Sequence, residues 1–174
     1  MDPEELQRAL EQLARHQAEL RERIDQSVEL LRRAALEQQM NAVARDAREL
    51  AAQQEALAEA MRQEGTTPER VAQQRELNER AAELNRQLEQ LRRRLGEQGE
   101  HQTAEQASEA NRRVHEAQQA MQRAAEQAMR QQGSEAGQSG EQAATRLDQA
   151  AQALESARQA MAQAWKQEVQ DIIQ

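Results

Sequence analysis

RELNERAAELNRQLEQLRRRLG, residues 75 to 96, sets Leu77, Leu84, Leu88, Leu91 and Leu95 three, four or seven positions apart. Charged side chains, amides and a pair of alanines fill the gaps. An α-helix turns once in about 3.6 residues, so this spacing lines the leucines along one face. A strand would repeat every second residue, and this stretch does not. The segment therefore reads as an amphipathic helix with a narrow leucine stripe. Such a stripe either walls a reactive pocket or packs against other helices, and the rest of the chain has to decide between them.

Composition favours packing. The 174 residues suit one domain of ordinary size. The formal charge is −8, the pI about 5.1 and the mean hydropathy −1.09. An acidic chain of this kind repels phosphate backbones, which call for clustered Lys and Arg. The longest basic run, Arg92-Arg93-Arg94, sits where cations favour the negative end of a helix dipole, and it reads as a solvated helix end. Cysteine is absent, which excludes disulfides, thiolate catalysis and Cys-based metal sites. No run of about 18 apolar residues is present to span a bilayer, and the start, MDPEEL, has no apolar core of a signal peptide. Trp165 is the one aromatic residue and Lys166 the one lysine. Ala, Gln, Glu, Arg and Leu dominate, and all five are strong helix formers. The scarcity of large apolar residues also matches disordered chains, so periodicity has to arbitrate.

The periodicity continues in both directions from residues 75–96. Asp2-Pro3-Glu4-Glu5 is a helix start: Asp2 can cap, Pro3 suits the first position, and the acids suit the positive dipole end. Leu6, Leu10, Leu13, Gln17, Leu20, Ile24, Ser27 and Leu31 then keep heptad spacing. A second row, Leu36, Met40, Val43, Ala47, Leu50, Gln54, Leu57 and Met61, lies roughly 140° around the same helix. One helix over 3–63 is the reading adopted, a break at residues 32–35 being the alternative. Gly65-Thr66-Thr67-Pro68-Glu69 punctuates the chain, with Thr66 and Glu69 at capping-box spacing, and a second helix follows over 67–95. A third helix is expected over 103–131, with a weaker row of Ala104, Ala107, Asn111, Val114, Gln118, Met121, Ala125 and Ala128. GSEAGQSG, residues 133–140, reads as a flexible linker by composition. A fourth helix is expected over 141–173, presenting Leu147, Ala150, Leu154, Ala157, Met161 and Ala164, and then Trp165, Val169, Ile172 and Ile173. Short connections make consecutive helices antiparallel. Charge supports the pairing. Residues 3–63 carry twelve acids and nine bases, whereas residues 69–95 carry five acids and seven bases. The expected fold is all-α: an antiparallel, coiled-coil-like helical bundle, one long helix plus three shorter ones, forming a single domain over 1–174 that reads as a fragment of a longer chain.

Chemistry finds few candidates. His16, His101 and His115 are too far apart for a zincin pair, and the residues three before them are Leu13, Gln98 and Arg112, so the Glu-x-x-His pattern of di-iron bundles fails each time. The histidines read as solvent-facing. The serines have no His/Asp framework, and the glycines of 133–140 lack the lysine of a phosphate loop and follow no strand. No catalytic, cofactor-binding or metal-binding residue is assigned, and no cofactor. Gln17, Ser27, Gln54, Asn111 and Gln118 fall on the seams, either as register-setting polar residues or as marks of a wet, loosely packed seam, the second being preferred. Trp165, Val169, Ile172 and Ile173 form the most hydrophobic patch, read as core at a bundle end or as a surface for a second copy or for the rest of the chain. No nucleic acid partner and no membrane insertion by this segment are expected.

At QAELRERID (17–25), ARELAAQQEALAEAM (47–61), AQQRELNERAAELNRQLEQL (72–91) and QAAQALESARQAMAQAW (149–165) the chain resembles a known type of sequence. It is similar to the helical Gln/Glu/Arg/Ala-rich region of bacterial membrane-anchored proteins of the domain-of-unknown-function family four-one-seven-five. The resemblance implies an extracytoplasmic helical region attached to membrane spans that lie outside this sequence; without it, the location expected is cytoplasmic. It carries over no functional residue. The function expected is non-catalytic: a structural or protein-interaction helical module of a larger bacterial protein. The alternative is a largely disordered hydrophilic chain that folds on a partner or on drying.

Overall fold

The computed structural model describes residues 3–173, with side chains described over 4–171; Asp2, read as the first cap, and the side chains of Ile172 and Ile173 lie outside those residues. Every element is a helix: α1 Pro3–Glu64, α2 Pro68–Glu97, α3 His101–Met129 and α4 Gly133–Ile173. No strand occurs among the described residues. The chain divides into two compact units, Met1–Leu36 and Glu37–Gln174.

In the first unit only α1 contributes structure. Residues 32–35, the alternative break point, are helical. Side-chain bonds here stay within the helix: Arg8 pairs with Glu4 at 3.4 Å, and the Ser27 hydroxyl donates to the Arg23 carbonyl at 2.8 Å.

In the second unit four helical staves form a ring. Gln39 of α1 accepts from Arg94 of α2 at 2.9 Å, and Gln54 meets Gln74, so numbers rise on α1 as they fall on α2. The same antiparallel sense joins α2 to α3 through Asn85 and Gln118 and through Arg75 and Met129. Arg113–Gln149 and Arg146–Glu116 join α3 to α4. Arg48–Glu155 and Arg158–Glu37 close the ring from α4 back to α1. Each connection is three residues long, short enough to suit antiparallel neighbours.

The core is the leucine and alanine seam read from sequence. Leu36, Met40, Val43, Ala47, Leu50, Gln54, Leu57 and Met61 are all buried, as are the five leucines of residues 75–96. On α4, Leu147, Ala150, Leu154, Ala157 and Met161 are buried, whereas Ala164 is exposed. On α3 the expected face is turned by about one position. Ala107, Val114, Met121 and Ala128 are buried as expected, but Ala110, Ala117 and Ala124 join them in place of Ala104, Asn111, Gln118 and Ala125. A helix with alanine on most sides gives the packing little size contrast to choose by, so the polar Asn111 and Gln118 move to the rim.

Two further corrections concern helix starts. The first turn of α2 is capped by Thr67, whose hydroxyl accepts from the Arg70 N–H at 3.3 Å, not by a Thr66–Glu69 box. Pro68 then falls at N1, where its missing N–H costs nothing. Residues 133–140 are not a linker but the first two turns of α4. A Cβ on Gly133 would stand 2.6 Å from the Met61 carbonyl oxygen, and one on Gly137 2.8 Å from that of Ala58. These glycines let the backbones of α4 and α1 approach closely, with Ala136, Ala143 and Ala144 buried beside them. The contact offsets the roughly 1 kcal/mol by which each glycine weakens a helix relative to alanine.

Candidate interaction surfaces

The polar surface is mostly occupied with itself. Arg62 meets Glu141 at 2.5 Å and Arg158 meets Glu37 at 2.8 Å between helices, while Arg92 meets Glu89 at 2.7 Å within one. Among the i,i+4 pairs of opposite charge, Glu4–Arg8 and Glu89–Arg93 form at 3.4 Å, whereas Arg80 turns from Glu76 to reach Gln53 and Glu49 on α1.

The arginines pull carboxyls downward. Hydrogen bonds from Arg92 lower the Glu89 carboxyl from its ordinary value, and Arg112 does the same for Glu109. Glu69 is lowered by its own backbone N–H and by the Thr67 hydroxyl. A working general acid requires the opposite shift, through an apolar surrounding or a neighbouring carboxylate.

His16, His101 and His115 are all exposed, and the His16 Nδ1 sits 2.8 Å from the Gln12 carbonyl of its own helix. Among the described residues no group of three His, Cys, Asp or Glu side chains is gathered as a metal site. Nor is any helix of the described residues long and apolar enough to cross a membrane. One surface hollow is lined by Gln102, Glu105, Gln106, Ser108, Glu109 and Arg112, all from the outer side of α3, so its polar groups spread outward instead of converging on a ligand.

The polar seam residues separate into two kinds. Gln54 and Gln74 are fully buried and bonded reciprocally: Gln54 Nε2 donates to Gln74 Oε1 at 2.9 Å, and Gln74 Nε2 donates back at 2.7 Å. The wet-seam reading therefore fails at Gln54, because both amides are satisfied without solvent. Gln17 and Ser27 are exposed.

Apolar surface is concentrated on one row. Leu6, Leu10, Leu13, Leu20, Ile24 and Leu31 are between 49% and 71% exposed, although their spacing matches that of the buried row later in the same helix. Val28 and Leu30 flank the row and are exposed too. The heptad reading missed both, though their places beside Ile24 and Leu31 were a usable signal.

At the other end of the chain, the half-buried Trp165 donates from its indole N–H to Glu100 Oε1 at 2.6 Å, tying α4 to the α2–α3 connection. Val169 is 42% exposed. The two isoleucines of that patch lie outside the described side chains. Compared with family models, with curated proteins and with solved structures, the chain matches none.

Proposed function

We propose that this chain is a non-catalytic structural or protein-interaction module that works by helix–helix packing, as part of a larger bacterial protein. One contrast carries the reading. The apolar seams of the second unit are buried against one another, while the exposed apolar side chains of α1 keep the heptad order of a helix-binding surface. Carboxylates paired with arginine and lowered in pKa further support a mechanical role over an acid–base one. In this reading α1 is one long helix that belongs to the bundle through its second half and presents its first half for contact. The end of α4 near Trp165 and Val169 is a second surface for association, with the remainder of a longer chain or with another copy. The resemblance noted above implies the extracytoplasmic side of a membrane-anchored protein; without it, the expected location is cytoplasmic.

Circular dichroism and amide hydrogen exchange test the proposal together. The expected result is a largely helical spectrum, a cooperative melt and slow exchange from Leu77 to Leu95. A gradual melt with exchange as fast as in a free peptide would replace this reading with that of a hydrophilic chain that orders only on a partner or on drying.

A further inference from the structure

The row from Leu6 to Leu31 runs through about four heptads, roughly 40 Å of helix, and its large side chains lie open. Four heptads with apolar residues at both seam positions are enough to sustain a two-stranded coiled coil. We propose that this row docks onto the same row of a second copy of this chain, the two helices parallel and in register with Gln17 against Gln17. The proposal rests on the packing-module reading above and names its partner.

Three observations select a second copy. The first is charge. Residues 4–36 carry seven acids (Glu4, Glu5, Glu11, Glu19, Glu22, Asp25, Glu29) and six bases (Arg8, Arg15, Arg21, Arg23, Arg32, Arg33). The whole chain carries −8, so this is a segment that two copies can bring together with little repulsion. The second is area. Covering six large aliphatic side chains on each copy, with the flanking stems, removes on the order of 1,200 Å² from water, which reaches the range of specific interfaces.

The third is the polar pattern, and it selects the orientation. Gln17 occupies one of the two seam positions together with Leu10, Ile24 and Leu31, while Ser27 shares the other with Leu6, Leu13 and Leu20. In parallel register like meets like, so Gln17 faces Gln17 and Ser27 faces Ser27. In the antiparallel alignment of the same eight positions, Gln17 faces Leu20, which sets a buried amide against an apolar side chain, while the Ser27 hydroxyl is satisfied in either alignment by the Arg23 carbonyl of its own helix. This molecule already uses the favourable solution once: Gln54 and Gln74 meet across a seam and satisfy each other with two amide hydrogen bonds. The flanks do not discriminate, because Ala9, Ala14, His16, Arg21 and Arg23 offer no acid to pair across either arrangement.

The test uses the full chain and light scattering coupled to chromatography at micromolar to hundred-micromolar concentration. The expected mass is twice 19.8 kDa at the upper end, falling to one chain in Leu13→Glu/Leu20→Glu, whose cooperative melt persists. Leu13→Cys should oxidise to a linked dimer, since parallel register brings the two thiols together. In the antiparallel alignment they lie roughly 16 Å apart along the axis. A wild-type chain that is monomeric throughout yet melts cooperatively overturns the second copy and leaves the packing-module reading standing. A dimer that survives the double substitution overturns the surface and points to the Trp165 end. A dimer lost on double substitution, with no disulfide link forming in the Leu13→Cys variant, overturns the parallel register. Loss of the cooperative melt in the wild-type chain removes both readings.

Discussion

Helix α1 carries the same heptad spacing twice. From Leu36 to Met61 the row is buried to 6% exposure or less, while Leu6, Leu10, Leu13, Leu20, Ile24 and Leu31 are 49% exposed or more. Helix propensity and periodicity hardly differ between the halves. What differs is company: the second row meets α2 and α4, as the Gln54–Gln74 and Arg158–Glu37 bonds record, whereas the large side chains of the first row are exposed. Spacing fixes which side chains share a face, and only the rest of the fold decides whether that face is dry. An apolar row is worth about 25 cal/mol for each Å² removed from water, so the two rows contribute very differently to the stability of a single chain.

The largest effect should come from emptying the dry side of that contrast. Leu88 is fully buried, and Leu88→Ala should destabilise the chain by roughly 2–5 kcal/mol, lost transfer energy and cavity together. For a domain of this size each kcal/mol lowers Tm by about 2–4 °C. Leu20→Ala removes the same atoms from an exposed position and should move the dilute melt by less than about 0.5 kcal/mol. Its effect should appear as weaker self-association. Equal losses in the two melts would mean that the open row is covered in the monomer, and the comparison would collapse.

A polar residue placed on each row sharpens the comparison. Gln54→Ala strands the buried amide of Gln74, which should cost about 1–3 kcal/mol, while Gln54→Leu/Gln74→Leu should be close to neutral because both polar partners leave together. Gln54→Leu, Gln74→Leu and the double, melted side by side, give the coupling directly. Gln17→Leu on the open row should leave the dilute melt unchanged and raise association while relaxing its register. If the Gln54 and Gln74 effects simply add, the reciprocal amide pair is not what aligns α1 with α2.

Much of the fold was legible because leucine and methionine contrast strongly with their neighbours. The rows at 36–61, 77–95 and 147–161 entered the core as read. Legibility failed where the signal was small. On α3, Ala104 and Ala107 look alike from sequence, and only the packing could choose Ala110 and Ala117 over Asn111 and Gln118. Gly133, Gly137 and Gly140 have linker composition, yet their spacing puts them together on the side of α4 that meets α1. The candidate surface was half legible. Leu6 to Leu31 declared itself as a seam, but spacing carries no information on whether the matching seam lies in the same chain.

The smallest effect tests whether the bundle can be tuned without touching the open row. Helices α1 and α2 are followed by glycines in the left-handed region, Gly65 at φ 83° and Gly99 at φ 79°, whereas the corresponding residue after α3 is Gln131 at φ 61°. All three take part in closing bonds; after α3 the Gln132 N–H reaches the Gln127 carbonyl at 2.9 Å and the Gln131 N–H reaches Ala128 at 3.0 Å. A side chain in that region costs roughly 1–2 kcal/mol, of which the greater unfolded-state freedom of glycine takes back a part. Gln131→Gly should therefore stabilise the chain by about 0.5–1 kcal/mol, read as a higher Tm, with no change in the mass measured by light scattering. Because the substitution lies in a connection of the bundle and leaves Leu6 to Leu31 untouched, a shift in that mass would show that the stability of the bundle and the behaviour of the open row are coupled, and that the contrast between the two rows of α1 is not one between independent regions.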